Sequence, residues 1–252
     1  MSVLIDLSAR RIMVTGAGSG IGAACAQRLA EAGADVVVSD LNFEAAQSCA
    51  DAILARGGRA MPVQLDVSDQ VATERVAAGL AAERPVTGLV NCAAIWKLGR
   101  FVDADPSVWQ RDIQVILVGT LLATRALLPQ IAAAGGGTIV TLSSDAGRVG
   151  EYEQVAYSAA KAGVIGFTKA LAREVGRQAI RVNCIAPGLT RTPAAAPYIE
   201  RLTERDIARG YPLGRLGEPT DIADLALFLS SDLSSWITGQ VVSVNGGYTT
   251  VG

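Results

Sequence analysis

Two kinds of apolar run alternate along this chain. Short, near-continuous blocks rich in Val, Ile and Leu are followed by longer stretches in which apolar positions recur at helical spacing. The first kind reads as strands buried on both faces, the second as amphipathic helices. Strands are predicted over residues 11–15, 34–39, 61–65, 88–91, 137–143, 180–185 and 240–244. Helices are predicted over 20–32, 43–55, 70–83, 107–133 and 154–176, with Gly33 closing the first and Gly57-Gly58 the second. Strands alternating with helices of this length make βαβ units and a parallel sheet. No Pro/Ser-rich linker, charge run or solenoid-length repeat divides the chain. The expectation is one α/β domain over residues 1–252, a Rossmann-type doubly wound parallel sheet of about seven strands flanked by helices.

Composition narrows what such a domain can do. Of 252 residues, 50% are hydrophobic and 18% charged, enough to bury a sizeable core. The net charge is −2 with both signs interspersed, so no basic stretch points to a nucleic acid. Apolar runs broken by Gly or charge predict no membrane span, and the N-terminus carries no basic region followed by a signal core. A cytoplasmic protein is expected. Cys25, Cys49, Cys92 and Cys184 lack C-x-x-C spacing and are expected as reduced thiols. There is no histidine, which excludes Ser-His-Asp hydrolysis, Cys-His chemistry and His-ligated zinc. Acid–base chemistry near neutral pH then falls to Tyr, Lys, Cys, Asp or Glu, and no metal is expected.

Residues 15–22, Thr-Gly-Ala-Gly-Ser-Gly-Ile-Gly, join the first strand to the first helix. Gly16 can make the tight turn, Gly20 admits a pyrophosphate close to the backbone, and Gly22 lets the helix approach the sheet. The helix N-terminus offers free N–H groups to phosphates. Such a loop alone is often only a turn, but Asp40 ends the second strand twenty residues beyond Gly20. A carboxylate there can accept from both adenosine-ribose hydroxyls and repel a 2′-phosphate, which favours NAD over NADP. Tyr157 and Lys161 lie one helical turn apart. A nearby ammonium lowers a phenol pKa from its usual ~10 toward useful basicity. Spacing alone would not separate them from ordinary surface residues. Two further features do: Ala-Tyr-Ser-Ala-Ala-Lys-Ala-Gly is rich in small residues, and Ser144 follows the fifth strand at the sheet's ligand-binding edge. Its hydroxyl can hold a substrate oxygen as charge develops, or simply cap a helix.

Together these residues resemble the short-chain dehydrogenase/reductase family from about Arg10 onward. The resemblance rests on the glycine loop, Asp66-Val67, Asn91-Cys92-Ala93-Ala94, Ser144, Tyr157-Ser-Ala-Ala-Lys161, Pro187-Gly188 and Asn245-Gly246-Gly247. It implies Tyr157 as acid/base, Lys161 binding the nicotinamide ribose, and Ser144 orienting the substrate carbonyl. It implies adenine contacts at Asp66 and Val67, and further cofactor contacts at Gly16, Ser19, Gly20, Ile21, Gly22, Asp40, Leu41, Asn91 and Ala93. Pro187, Gly188, Thr190 and Thr192 would meet the nicotinamide, and a homotetramer is implied. One position departs: the family usually has Asn seven residues after a Trp such as Trp109, where this chain has Ile116. That Asn is associated with a water that relays protons to the Lys.

The stretch 189–212, with Thr190, Thr192, Pro193, Pro197, Tyr198 and Ile199, resembles a lid over the substrate. Trp96, Leu98, Ala146, Tyr152 and Gln154 are further candidate walls. Family members that act on carrier-protein thioesters dock through basic residues. Gly135 and Gln178 stand at the corresponding positions here, although Arg177 is adjacent. A catabolic NAD-dependent dehydrogenase of a small secondary alcohol or ketone therefore ranks first. Next come a 3-oxoacyl-thioester reductase or hydroxyacyl dehydrogenase, and, of another class, a catalytically impaired NAD-binding regulator.

Overall fold

In the computed structural model, which describes residues 5–250, the strands form one seven-stranded parallel sheet in the order β3-β2-β1-β4-β5-β6-β7. They are β1 (Arg11–Thr15), β2 (Asp35–Asp40), β3 (Arg59–Gln64), β4 (Gly88–Asn91), β5 (Gly137–Leu142), β6 (Ile180–Pro187) and β7 (Val241–Val244). Every predicted strand is present, with ends displaced by a residue or two.

The continuous apolar character of the strands is explained by the two cores. Alternate strand residues serve opposite faces. Ile12, Val14, Val36, Val38, Val90 and Val140 face one core, where α1 (Gly20–Glu31), α2 (Phe43–Ala55) and α10 (Pro219–Ser230) bury Leu29, Ile53 and Leu229. Met13, Val37, Leu89, Ile139 and Val182 face the other, where α3 (Gln70–Glu83), α5 (Gly119–Ala133) and α7 (Val155–Val175) bury Leu80, Leu127 and Val175.

Two helical expectations are corrected. The predicted helix over 107–133 is α4 (Pro106–Ile113), a π-helical turn (Gln114–Val118) and α5, joined end to end. Asp105 caps its start by accepting from Ser107 N–H. In the π turn the Gly119 N–H reaches back to the Gln114 carbonyl, one residue beyond the α pattern. Hydrophobic periodicity does not register one extra residue in a turn. The second correction is α10, which was not predicted. Its Glu218/Asp221 capping box and buried Ile222, Ala223, Ala226 and Leu229 at helical spacing were there to be read.

The run Pro106–Ala133 is long and apolar enough to cross a membrane by composition, contrary to the expectation that no segment is. Half of its apolar 18-residue stretch is buried inside the protein, with Ala123, Leu127 and Ile131 packed in the core, so the fold accounts for its hydrophobicity.

Strand order reverses between β1 and β4, where a doubly wound sheet opens a crevice at its carboxyl edge. Thr15 pairs with Asn91 across this point, and Thr15 Oγ1 accepts from the N–H groups of Cys92 and Ala93, both at 3.2 Å. The glycine loop and the β4 exit are thereby held side by side.

Candidate active site

The glycine loop is a cradle from which side chains are excluded. A Cβ on Gly22 would lie 2.0 Å from the Gly16 carbonyl oxygen, and one on Gly16 would lie 2.7 Å from Ala93 Cα. Gly16 and Gly20 have φ of 62° and 53°, a conformation glycine adopts freely. Ser19 stands at the N-cap of α1 without a side-chain cap bond, which leaves the first-turn N–H groups to be met from outside. Asp40 is held at the loop's rim: Oδ2 accepts from Gly18 N–H and Oδ1 from Asn42 N–H, each at 2.9 Å. Each oxygen retains accepting capacity. A loop closed to side chains, a free helix N-terminus and a fixed carboxylate fit a dinucleotide.

The remaining expected cofactor residues spread along the same edge. Leu41 is 59% exposed beside Asp40. Asp66 pairs with Arg111 at 2.9 Å and accepts from Ser68; burial raises its pKa, but those partners outweigh it and hold the carboxyl low. Val67 is buried, packed where a Cβ on Gly119 would stand 2.6 Å from it. Asn91 is buried, and its amide donates to Thr124 Oγ1 at 3.1 Å, tying β4 to α5.

Ser144, Tyr157 and Lys161 come together in a cavity of about 580 Å³, within the range of small-molecule sites. Ile21, Pro187, Gly188, Thr190 and Thr192 line it too. Thr192 closes on the glycine loop, its Cγ2 3.2 Å from where a Gly20 Cβ would be. Small residues make the close packing possible: a Cβ on Gly147 would strike Lys161, and one on Gly163 would strike Leu117.

Lys161 is buried, with Nζ 5.7 Å from the centre of the Tyr157 ring and donating to the Leu142 carbonyl at 2.7 Å. Burial pushes the ammonium down to about 8. Burial also pushes the Tyr157 phenol up to about 12; its hydrogen bond with Ser144 acts the other way, and the charge of Asp112 adds to the rise. The expectation that Lys161 brings the phenol below its usual value is thus not met within the protein alone. Desolvation drives both groups toward their neutral forms and is the largest cause of each shift.

Of the other candidate walls, Trp96, Ala146, Gln154 and Tyr198 line this cavity. Leu98 instead lines a neighbouring cavity of about 280 Å³ that shares Gln154 and Tyr157, and Tyr152, 79% exposed, lines neither. The predicted lid is not featureless: it holds α8 (Ala196–Ile199) and α9 (Glu204–Gly210), the latter opened by a Thr203/Asp206 capping box. Sequence reasoning missed Glu151, Tyr211 and Tyr248, which line the cavity, and Asp112, a buried carboxyl in the neighbouring one. Burial raises the pKa of Asp112, opposed by Lys97. Only its place one turn before Ile116 could have marked it.

A doubly wound sheet with a glycine loop at its switch point, and Ser, Tyr and Lys gathered beyond it, defines a nicotinamide-dependent oxidoreductase. The chain belongs to the short-chain dehydrogenase/reductase family. A family model described as enoyl-(acyl carrier protein) reductase matches residues 16–249. The chain is 38% identical over 257 residues to (3R)-3-hydroxyacyl-CoA dehydrogenase of Mus musculus, covering 98% of this chain and 99% of that one. It is 41% identical over 261 residues to trans-4-hydroxycyclohexanecarboxylate dehydrogenase of Sinomonas cyclohexanicum, covering 99% and 96%. A crystal structure described as a putative short-chain alcohol dehydrogenase from Sinorhizobium meliloti 1021 superposes with a TM-score of 0.92 at 37% identity, covering 98% of each chain.

The buried ammonium has a thermodynamic consequence. Burial lowers Lys161 to about 8 in the folded chain, against an ordinary lysine value of 10.5, so between these pH values the unfolded chain binds more protons and stability rises with pH. Lys161→Met removes this penalty. Chemical denaturation should find the variant more stable than the parent at pH 7, by up to about 3 kcal/mol, with the gap narrowing from pH 8 toward 10.5. A gap independent of pH would show that the ammonium is not desolvated.

Proposed function

We propose that the chain oxidises small secondary alcohols, or reduces the matching ketones, with NAD(H) as hydride carrier. The observation that carries this reading is the meeting of Ser144, Tyr157 and Lys161 in a cavity whose wall also includes Ile21 of the glycine-loop helix. A nicotinamide held beside these residues would supply the hydride acceptor for the carbinol carbon, or the hydride donor for the carbonyl. The Ser144 hydroxyl holds the substrate oxygen. Tyr157 gives its proton to that oxygen in reduction and takes the carbinol proton in oxidation. A phenol at about 12 stays protonated at neutral pH, which suits the donor role. Lys161, at about 8, is mostly charged at pH 7 and supplies the positive potential that brings the phenolate within reach once the site is filled.

The proton also needs a way out. Ile116 offers no polar side chain, but its carbonyl lies in the π turn and already accepts from Thr120 Oγ1 at 2.7 Å. A carbonyl has a second lone pair, and a widened helical turn gives a water access to it. Residues 189–212 act as a lid on a single domain spanning 1–252, closing over bound substrate.

Asp40 supports NAD over NADP, since a carboxylate fixed at the loop's rim accepts from ribose hydroxyls and repels a 2′-phosphate, while Ser19 offers no countercharge. Four cysteines, all free, suit a reducing cytoplasmic setting. The name of the murine relative keeps a hydroxyacyl-thioester dehydrogenase as the second reading. A panel of alcohols, ketones, hydroxyacyl and enoyl thioesters, followed by NADH absorbance, separates these readings from each other and from a cofactor-binding regulator.

Three outcomes are expected. With the best alcohol from the panel, catalytic efficiency with NAD should far exceed that with NADP, and Asp40→Ala should erode the preference; equal efficiencies in the parent would sink the assignment. Tyr157→Phe should lower turnover by at least ~10²-fold while NADH binding survives, whereas Ile116→Asn should change turnover only a few-fold, well inside that ~10² margin. A dead parent revived by Ile116→Asn would favour the regulator. Finally, a homotetramer, supported by the family resemblance and by the fully solvent-facing indole of Trp236, predicts a tetrameric mass in sedimentation velocity.

A further inference from the structure

Resting on that reading, the cavity walls point to a kind of substrate. Four aromatic side chains besides Tyr157 line it: Trp96, Tyr198, Tyr211 and Tyr248. Trp96 and Tyr198 meet edge to face at 5.8 Å, and Tyr211 stacks on Tyr248 at 5.1 Å. Trp96 is oriented by its Nε1–H, which donates to Gln154 Oε1 at 2.9 Å. The Tyr248 hydroxyl donates to Glu151 Oε1 at 2.9 Å, so a carboxylate is fixed among the rings while keeping lone pairs to spare.

The charges around these rings are one-sided. Asp206 lines the lid wall, its carboxyl kept below the usual range by hydrogen bonds from the Thr203 side chain and backbone, with the charge of Arg209 acting the same way. Asp145 lines the cavity as well, its two oxygens accepting from Ser243 at 3.0 Å and Asn245 at 2.6 Å. The one basic side chain among the described lining residues is Lys161, whose Nζ donates to the Leu142 carbonyl and lies 5.7 Å from the centre of the Tyr157 ring. An anionic group on this wall would meet the like charges of Glu151 and Asp206, while the Lys161 ammonium sits beside the Tyr157 ring. A cationic group would meet a carboxylate and the negative faces of aromatic rings, and such faces attract ammonium groups within about 6 Å.

We infer that this cavity selects a cyclic secondary alcohol or ketone bearing a protonated amine, and rejects the carboxylate-bearing counterpart, with Glu151 and its neighbouring rings as the selecting wall. The contrast with the relative named for trans-4-hydroxycyclohexanecarboxylate is direct: a carboxylate placed on the same ring would meet Glu151 and Asp206, and the one basic side chain among the described lining residues sits against Tyr157.

The test uses the whole enzyme with NAD at neutral pH and three matched alcohols: trans-4-aminocyclohexanol, cyclohexanol and trans-4-hydroxycyclohexanecarboxylate. The expected order of kcat/KM is amine, then neutral alcohol, then carboxylate. Glu151→Gln should shrink the amine-to-carboxylate ratio by about tenfold. Tyr248→Phe keeps the ring but removes the hydroxyl from Glu151, and should preserve or enlarge that ratio. A carboxylate turned over as well as the amine, or a ratio unmoved in Glu151→Gln, would overturn the inference; so would a ratio that falls in Tyr248→Phe. If none of the alcohols nor any other panel member is oxidised, the functional reading itself fails. Calorimetric titration of the NADH-saturated protein with cyclohexylammonium and with cyclohexanecarboxylate then decides charge selection separately. Tighter ammonium binding, weakened in Glu151→Gln, supports it; equal binding of the two, or tighter carboxylate, refutes it.

Discussion

The site depends on holding two titratable side chains, one helical turn apart, where packing strips much of their hydration. Lys161 is buried and Tyr157 half-buried at the cavity wall, held there by close packing around α7 that needs small residues. Ser143 Oγ donates to the Lys161 carbonyl at 2.8 Å, and Lys161 Nζ returns a bond to the Leu142 carbonyl. The helix is thus stitched to the strand end at the residue that carries the charge. Desolvation then sets the proton affinities: it moves the phenol and the ammonium apart on the pH scale, up to about 12 and down to about 8. Groups tuned this way respond strongly to any further charge placed beside them, because low-dielectric surroundings magnify Coulomb effects.

The sheet supplies the place for that arrangement. Reversal of strand order between β1 and β4 leaves their carboxyl ends diverging, and the loops leaving them enter the gap. Thr15 serves both strands, as a ladder partner of Asn91 and as the acceptor for the two N–H groups that follow it. Asn91 in turn secures α5 through Thr124. Residues that resemble cofactor contacts in sequence are here also the fasteners of the crevice.

Much of this was legible in the residues. Strand positions followed from continuous Val/Ile/Leu blocks, because a sheet covered on both faces needs apolar side chains on both. The glycine loop was legible because spacing between a strand and a helix leaves few roles for three glycines. What sequence could not give was distance across the fold. Glu151 and Tyr248 are 97 positions apart and meet only because β7 returns beside β6. The sign of the Tyr157 shift was also out of reach, since a Tyr-Lys spacing reports proximity but not burial, and burial dominates. Tyr152 was misassigned for the opposite reason: nearness in sequence to the site does not turn a side chain inward.

Ile116 illustrates how backbone and side chain divide the work. Replacing an amide side chain by a hydrocarbon removes a donor and an acceptor, and buried space favours that exchange, since Ile116 packs in a small cluster with Ala160, Val164 and Cys184. What the exchange leaves intact is the main chain. The π turn around residue 116 holds a wider spacing of backbone hydrogen bonds whatever side chain stands there, and Thr120 binds the carbonyl from one turn ahead. π turns tend to sit at functional sites because they disturb the regular helix ladder and change which backbone groups are available to other partners. A carbonyl set apart in this way is fixed by helix geometry and does not depend on a rotamer. A proton path that ends on the backbone is therefore insensitive to the side chain at that residue, and a hydrophobic packing residue can stand there without closing it.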